Sequence, residues 1–242
     1  KNKITSQEEV SGMNSWEYRT GNPVMQQWGL QVSSDKFFKD QTDIDNWAKS
    51  TYGAVKPGDV KYVDQNKDGV IDSQDNVPLG NPSVPEWNFG LTLGCDYKGF
   101  DFNVLFTGIA NRSLFMSNNV LWGMQDNNKI TTEVAENSWG VSQNPLYPSL
   151  TTQLNSHNYQ PSSLWIKNVD FFRIQTMEIG YSLPKKMLLK ANISNIRFFI
   201  NGYNLFSFDG LKKYNLSAEI PNAGVTMYPE VRVINIGVNL KF

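Results

Sequence analysis

Asp64, Asn66, Asp68, Asp72 and Asp75 crowd into one short stretch, with Gly69 and Val70 between them. That spacing matches a calcium loop, with side-chain oxygens at positions 1, 3, 5, 9 and 12, the Val70 carbonyl at 7 and glycine at 6 for the sharp turn. Four carboxylates so close repel one another unless a cation sits among them, and a hard divalent ion takes such oxygens at about 2.3 to 2.6 Å. The expected ligands are Asp64, Asn66, Asp68, Val70, Asp72 and Asp75, with calcium as a structural cofactor. Position 12 is Asp rather than bidentate Glu, and Pro57 and Pro78 forbid well-formed flanking helices. Affinity should therefore be modest, with no opening switch. The alternative is an acidic turn held by Asx hydrogen bonds, its glycine needed for a positive φ.

A second group carries flat rings. Trp122, Trp139, Tyr147, Tyr159 and Trp165 stand in long Asn- and Ser-rich stretches, where a ring can stack on a sugar or on a partner protein. Trp122, Trp139, Tyr147 and Trp165 are the candidate cargo contacts. Membrane-interface girdles or loop packing are the competing roles. A glycosidase would need two carboxyls flanking a bond; Glu86, Glu133, Glu136 and Asp126 are available, but no spacing pairs them. His157 reads as a loop side chain. Lys185, Lys186 and Lys190 read as a solvated turn, since no Gly-rich cradle precedes them.

The elements that must position these residues are strands. The chain has 242 residues, net charge -1, 13% aromatic and 19% charged residues, one cysteine (Cys95) and one histidine. No clustered basic patch is available for nucleic acid. A single Cys and a single His exclude a disulfide within the chain, and disfavour thiolate zinc sites and Ser/His/Asp chemistry. From Asn88 to Tyr97, Phe89, Leu91, Leu93, Cys95 and Tyr97 alternate with Asn, Gly, Thr and Asp, the period-two pattern of a strand with one apolar face. Lys98-Gly99 turns the chain, and Phe100, Phe102, Val104 and Phe106 continue the pattern as a hairpin. Further strands are expected over Phe171–Tyr181, Ile196–Phe206 and Arg232–Phe242, with Ile234, Ile236, Val238, Leu240 and Phe242 on one face.

Trp16–Arg19 and Val24–Val32 read as short strand-like pieces, Asp40–Ser50 as one or two helical turns, and residues 111–165 as extended loops. A soluble sandwich is the default for such alternation. Two features favour a transmembrane barrel instead: a polar face of Asn, Gly and Thr with hardly any Lys or Glu, and ten-residue strands joined by alternately short and very long connections.

Several motifs in order carry a resemblance: Gly58-Asp-Val-Lys-Tyr-Val-Asp64 running on to Asp72; Gly80-Asn-Pro82; Trp87-Asn-Phe-Gly90; Phe171 to Pro184; Asn204-Leu-Phe206; and Tyr228-Pro229 through Phe242. From about residue 21 onward the chain resembles the C-terminal portion of SusC/RagA-like TonB-dependent outer-membrane transporters. The resemblance implies an all-β fold: the C-terminal strands of a large antiparallel transmembrane β-barrel of about 22 strands, with long extracellular loops. It implies residues 1–242 as one barrel portion with the calcium-like loop at 59–80 inside it, the plug and earlier strands lying elsewhere in the transporter. It also implies the outer membrane of a Gram-negative bacterium, a SusD-like surface lipoprotein, the TonB complex, a glycan or oligopeptide cargo, no catalytic residues, and a terminal aromatic, Phe242, read by the insertion machinery. The pattern departs after Phe206, where an acidic Asp-Pro-Glu element is usual and Tyr214-Asn-Leu-Ser-Ala-Glu219 stands instead.

The expectation is a nutrient importer's barrel segment with about six to eight strands, near the minimum of about eight for closure, which would not close alone. The alternatives are a secreted calcium-stabilised β-sandwich that binds carbohydrate and a β-rich glycoside hydrolase fragment.

Overall fold

The computed structural model describes residues 2–117, 121–124, 129–153, 155–188, 193–214, 216–217 and 230–242. Its largest element is a five-stranded antiparallel sheet of β7 (Trp87–Tyr97), β8 (Phe100–Ala110), β11 (Phe171–Ser182), β12 (Asn195–Asp209) and β13 (Val233–Lys241). They pair in the order β13-β12-β11-β8-β7. They are 9 to 15 residues long, enough for a tilted strand to cross a hydrocarbon layer. Among the described residues β7 and β13 stand at the two ends of the sheet, each paired on one side.

Register converts the alternation into two different faces. On one, Cys95, Phe102, Ile179, Ile200 and Ile236 lie opposite one another across the strands. The next row on that face is Tyr97, Phe100, Tyr181, Phe198 and Val238. On the other, Gly94, Asn103, Glu178, Asn201 and Asn235 form one row, and Asp96, Asp101, Gly180, Phe199 and Gly237 the next. A single register slip would exchange these faces. A β-bulge between Ile174 and Thr176 absorbs one residue without losing the alternation.

Leu91, Leu93, Ile200, Ile234 and Leu240 are all exposed, and Ile236 reaches 80%. No second sheet among the described residues pairs with or continues this one, and its apolar side chains lie open where a sandwich would bury them. The sandwich alternative has no counterpart in the fold.

Connections at the two ends differ. Lys98-Gly99 joins β7 to β8, and residues 183–194 join β11 to β12, with α3 (Lys185–Leu188) inside. At the opposite end, residues 2–86, the described residues of 111–170 and residues 211–214 gather into a second layer holding the short pairs β1 (Gln27–Leu30)/β6 (Asn76–Leu79), β2 (Val32–Phe37)/β4 (Val60–Tyr62), β3 (Lys49–Ser50)/β5 (Val70–Ile71) and β9 (Ser113–Phe115)/β10 (Ile166–Asn168). α1 (Gln41–Asp45) and α2 (Thr132–Asn137) belong to it. The hydrophobic core sits here, in Leu30, Phe37, Tyr62, Leu114, Met116 and Trp165 with their neighbours.

This corrects two expectations. The described residues of 111–165 are a packed layer rather than extended loops, because their apolar side chains meet those of 30–71. Trp16 lies in a 3-10 turn, Ser15–Glu17, whose Asn14 and Glu17 cap each other. The helical turn expected between Asp40 and Ser50 is α1, with the Asp40 side chain accepting from the Asp43 N–H. No helix of the described residues is long and apolar enough to cross a membrane.

Candidate functional site: the polar wall and the loop layer

The polar face is built around one guanidinium. Arg197 Nε donates to Asp101 Oδ2 at 2.9 Å and its Nη2 to Glu178 Oε1 at 2.6 Å, with a further contact from Nη2 to Asp101 Oδ1. Glu178 Oε2 accepts from Asn201, whose carbonyl accepts from Asn235 Nδ2. Four strands are thereby tied through side chains as well as ladders. Gly180 makes the arrangement fit, since a Cβ there would strike Arg197 Nη2 and stand 2.5 Å from Asp101 Oδ2.

Gly180→Ala should therefore separate the pair and destabilise the sheet by about 1–3 kcal/mol, the usual cost of overpacking. The thermal midpoint of the folded-to-unfolded shift on unheated versus heated gels reads this. An unchanged midpoint would refute the packing role.

Nearer the loop layer, Arg173 Nη1 donates to Asn204 Oδ1 at 3.1 Å and contacts Glu230. Asn204 adopts a φ of 52°, a backbone that Asn tolerates better than most residues. The motif Asn204-Leu-Phe206 is thus fastened to the strand that carries Arg173. Tyr228, Pro229, Lys190 and Asp126 lie outside the described residues.

In the layer, the stretch Gly58 to Tyr62 is structural throughout. Gly58 has φ +88°, and a Cβ there would come within 2.5 Å of the Trp139 ring. Asp59 Oδ1 accepts from Asn158 at 2.8 Å and Asn155 at 3.1 Å, while Oδ2 accepts from the Lys56 N–H. His157 Nε2 donates to the Val60 carbonyl at 2.6 Å, so Nδ1 accepts from the Ser50 hydroxyl at 2.7 Å. Burial lowers the His157 pKa, against the pull of the Val60 carbonyl, and keeps the ring neutral. His157 and the buried Asn158 bolt 56–62 to 155–165, a role that a lone histidine in sequence does not announce.

The acidic loop satisfies much of itself. Asp64 accepts from the N–H groups of Lys67 (2.6 Å) and Gly69 (2.8 Å), Asp68 from Val70 N (2.8 Å) and Asp72 from Gln74 N (2.8 Å). Asp75, 1% exposed, accepts from Gln65 N at 2.7 Å and Asp72 N at 3.0 Å. Among the described residues no group of three or more His, Cys, Asp or Glu is gathered so as to hold a metal. A carboxylate has about four lone-pair sites, so Asp64, Asn66, Asp68 and the Val70 carbonyl keep acceptor capacity toward a cation. Asp75 fits less well, being turned inward as the clasp of the turn.

Two of the aromatic cargo candidates are corrected. Tyr147 and Trp165 are each 2% exposed, so no cargo ring can stack on them. Trp122 and Trp139 are half-buried and pack on the same cluster, with Trp122 4.6 Å from the Tyr159 ring centroid and 6.3 Å from that of Trp165. The rings meet one another because only mutual packing removes so much apolar area from water. Glu133 and Glu136 share α2, while Glu86 lies just before β7 and accepts from Asn111.

Open grooves among the described residues of the layer include one of about 460 Å³ lined by Tyr52, Lys56, Asp59, Gln153 and Asn155, and one of about 350 Å³ lined by Ser34, Lys36, Ser163, Lys167 and Tyr214.

No family model matches the chain. Among curated proteins, it is 24% identical over 208 residues to TonB-dependent receptor P3 of Formosa agariphila, covering 78% of this chain and 20% of that protein. It is 26% identical over 220 residues to TonB-dependent receptor P26 of the same organism, covering 85% and 21%. The chain thus spans about a fifth of the length of the curated relatives it matches. Among solved structures, the RagAB peptide importer in its closed-closed state superposes with a TM-score of 0.59 at 16% identity, covering 93% of this chain and 24% of that one. The open-open state gives 0.56 at 18% identity, covering 89% and 22%. In sequence the chain is similar to TonB-dependent receptors, and in fold to the RagAB importer. The described strands form an all-β fragment whose fold matches part of those barrel structures.

Proposed function

We propose that this chain forms the C-terminal part of the barrel of an outer-membrane TonB-dependent importer that takes up glycan or oligopeptide. The observation that carries the reading is the two-faced sheet, with an exposed apolar side, a polar side laced by Arg197, Asp101 and Glu178, and all long connections at one end. Outer-membrane barrels combine these features, with short turns on the periplasmic side and long loops outside. From Phe89 to Tyr97 the strand advances about 27 Å at about 3.4 Å per residue, or about 20 Å of membrane depth at a tilt of about 40°. Aromatic clusters mark both limits: Phe89, Phe106, Phe172 and Phe208 near the layer, and Phe100 with Tyr181 near the short turns.

The packed layer then faces outward, where a SusD-like surface lipoprotein would dock, and the remaining strands and plug of the transporter complete β7 and β13. The TonB complex would drive uptake. The reading assigns no catalytic residue. Calcium is the cation that the loop 59–80 would take, through Asp64, Asn66, Asp68, Val70, Asp72 and Asp75, to stiffen that loop rather than the barrel.

The test places the transporter carrying this segment in a deletion host and follows uptake of labelled oligopeptides and oligosaccharides beside outer-membrane fractionation. Membrane insertion with TonB-dependent uptake of either cargo is expected, and recovery in the soluble fraction would overturn the reading. Calorimetry on the same protein decides the cation: an absence of calcium uptake removes it.

A further inference from the structure

The short-turn end of the sheet carries a charge pattern that transport does not use. Lys98 sits in the β7–β8 turn with φ +47°, and its ammonium lies over the Tyr97 ring, 5.1 Å from the centroid. Tyr97 belongs to the apolar face, in the row with Phe100, Tyr181 and Phe198. The neighbouring connection adds Lys185 and Lys186 on α3, both exposed, followed by Met187, also exposed. The two turns touch, since the Ser182 N–H donates to the Gly99 carbonyl at 2.7 Å.

Charge is segregated at this end. Asp96 and Asp101 lie on the polar face, where Arg197 holds Asp101. Among the described residues none of the three ammonium groups is paired with a carboxylate. The result is an aromatic row on an exposed apolar wall, edged by unpaired cations with long apolar stems. That geometry suits the boundary between acyl chains and headgroups, where rings sit at headgroup level and lysine stems run along apolar surface to place the charge in the polar zone.

We propose that Lys98, beside the Tyr97–Phe100–Tyr181–Phe198 row, together with the exposed Lys185 and Lys186 of the adjoining connection, holds the phosphates of anionic phospholipids in the leaflet that meets the short turns. The inference rests on the membrane reading above and adds to it a lipid class and a leaflet. Three cations without carboxylate partners, one of them over a ring of the apolar face, favour a phosphodiester still attached to its acyl chains, because the apolar wall continues directly from Lys98.

The test uses the transporter carrying this segment in a neutral detergent. Partition into the detergent phase is read first, and a protein that stays in water overturns the membrane reading and the lipid site with it. On protein that partitions, the thermal midpoint is followed against added phosphatidylglycerol, phosphatidylcholine and inorganic phosphate.

Phosphatidylglycerol should raise the midpoint, phosphatidylcholine and phosphate should not, and about 0.5 M salt should abolish the difference. Lys186→Gln should weaken the phosphatidylglycerol dependence about fivefold, equivalent to about 1 kcal/mol for one basic residue at an anionic surface. The triple variant K98Q/K185Q/K186Q should lose it. A triple variant that responds like the parent, equal stabilisation by phosphatidylcholine, or full stabilisation by phosphate alone would each overturn the lipid site while leaving the membrane reading intact.

Discussion

Replacing Asp43 by Ala should destabilise the loop layer by about 3 kcal/mol. Lys61 is buried on β4, and its ammonium meets Asp43 Oδ1 at 2.6 Å while lying 4.0 Å from the Trp47 ring centroid and 5.6 Å from that of Phe38. Removing one partner of a buried pair leaves an uncompensated charge, at a cost of about 3–5 kcal/mol. Asp43 keeps some contact with water, which places the expectation at the low end. Lys61→Met removes both the charge and its need for a partner, so it should cost far less and should rescue Asp43→Ala.

The same pair sets an acid limit. The Lys61 hydrogen bond holds the Asp43 carboxyl below the usual range, against the opposing effect of burial. A carboxyl lowered on folding contributes stability that is fully present above its unfolded value near pH 4 and is lost as pH falls through the folded value. Limited proteolysis of the layer across pH 2–6 would show the parent loosening in that window. Asp43→Ala should be weaker at neutral pH and less sensitive to acid. A double variant no more stable than Asp43→Ala alone would refute the buried-charge account.

Lys61 also shows where sequence stops being legible. The barrel strands could be read because period two makes both faces visible at once: Asn88 to Tyr97 alternates large with small, and the register then aligns Phe102, Ile179, Ile200 and Ile236. In Val60-Lys61-Tyr62 the same rule would send Lys61 to water. Instead all three side chains are buried, because Trp47 and Phe38 cover the second face. Nothing local predicts that cover, since its residues arrive from other segments.

The layer's core was hidden for the same reason. Leu30, Tyr62, Leu114 and Trp165 recur at no fixed period, and only the tertiary fold gathers them. The acidic loop is a third case. Its spacing reports that oxygens converge, but an N–H and a cation seek the same oxygens, and the choice at Asp75 went to the Gln65 and Asp72 amides.

The second large effect concerns a ring that sequence offered as a cargo platform. Trp165→Ala should unfold or loosen the loop layer by about 3–5 kcal/mol, the range for deleting a buried aromatic. Its indole stands at the centre of the aromatic cluster, 6.2 Å from Tyr147, 5.6 Å from Tyr159 and 6.3 Å from Trp122 between ring centroids. Its Nε1 donates to the Asn158 carbonyl at 2.7 Å, joining the network that Asp59 and His157 build. Truncation therefore opens a cavity and removes the partner of a buried carbonyl together.

Among the described residues, none of the clustered core side chains lies on the five-stranded sheet. Trp165→Ala should accordingly raise protease cleavage within 30–71 and 130–165 while the heat-modifiable barrel band stays where it is. Trp165→Phe keeps most of the volume and loses the hydrogen bond, so it should fall between the two. If Trp165→Ala left cleavage unchanged and instead weakened cargo binding, the ring would be a contact surface and the packed core would be wrong.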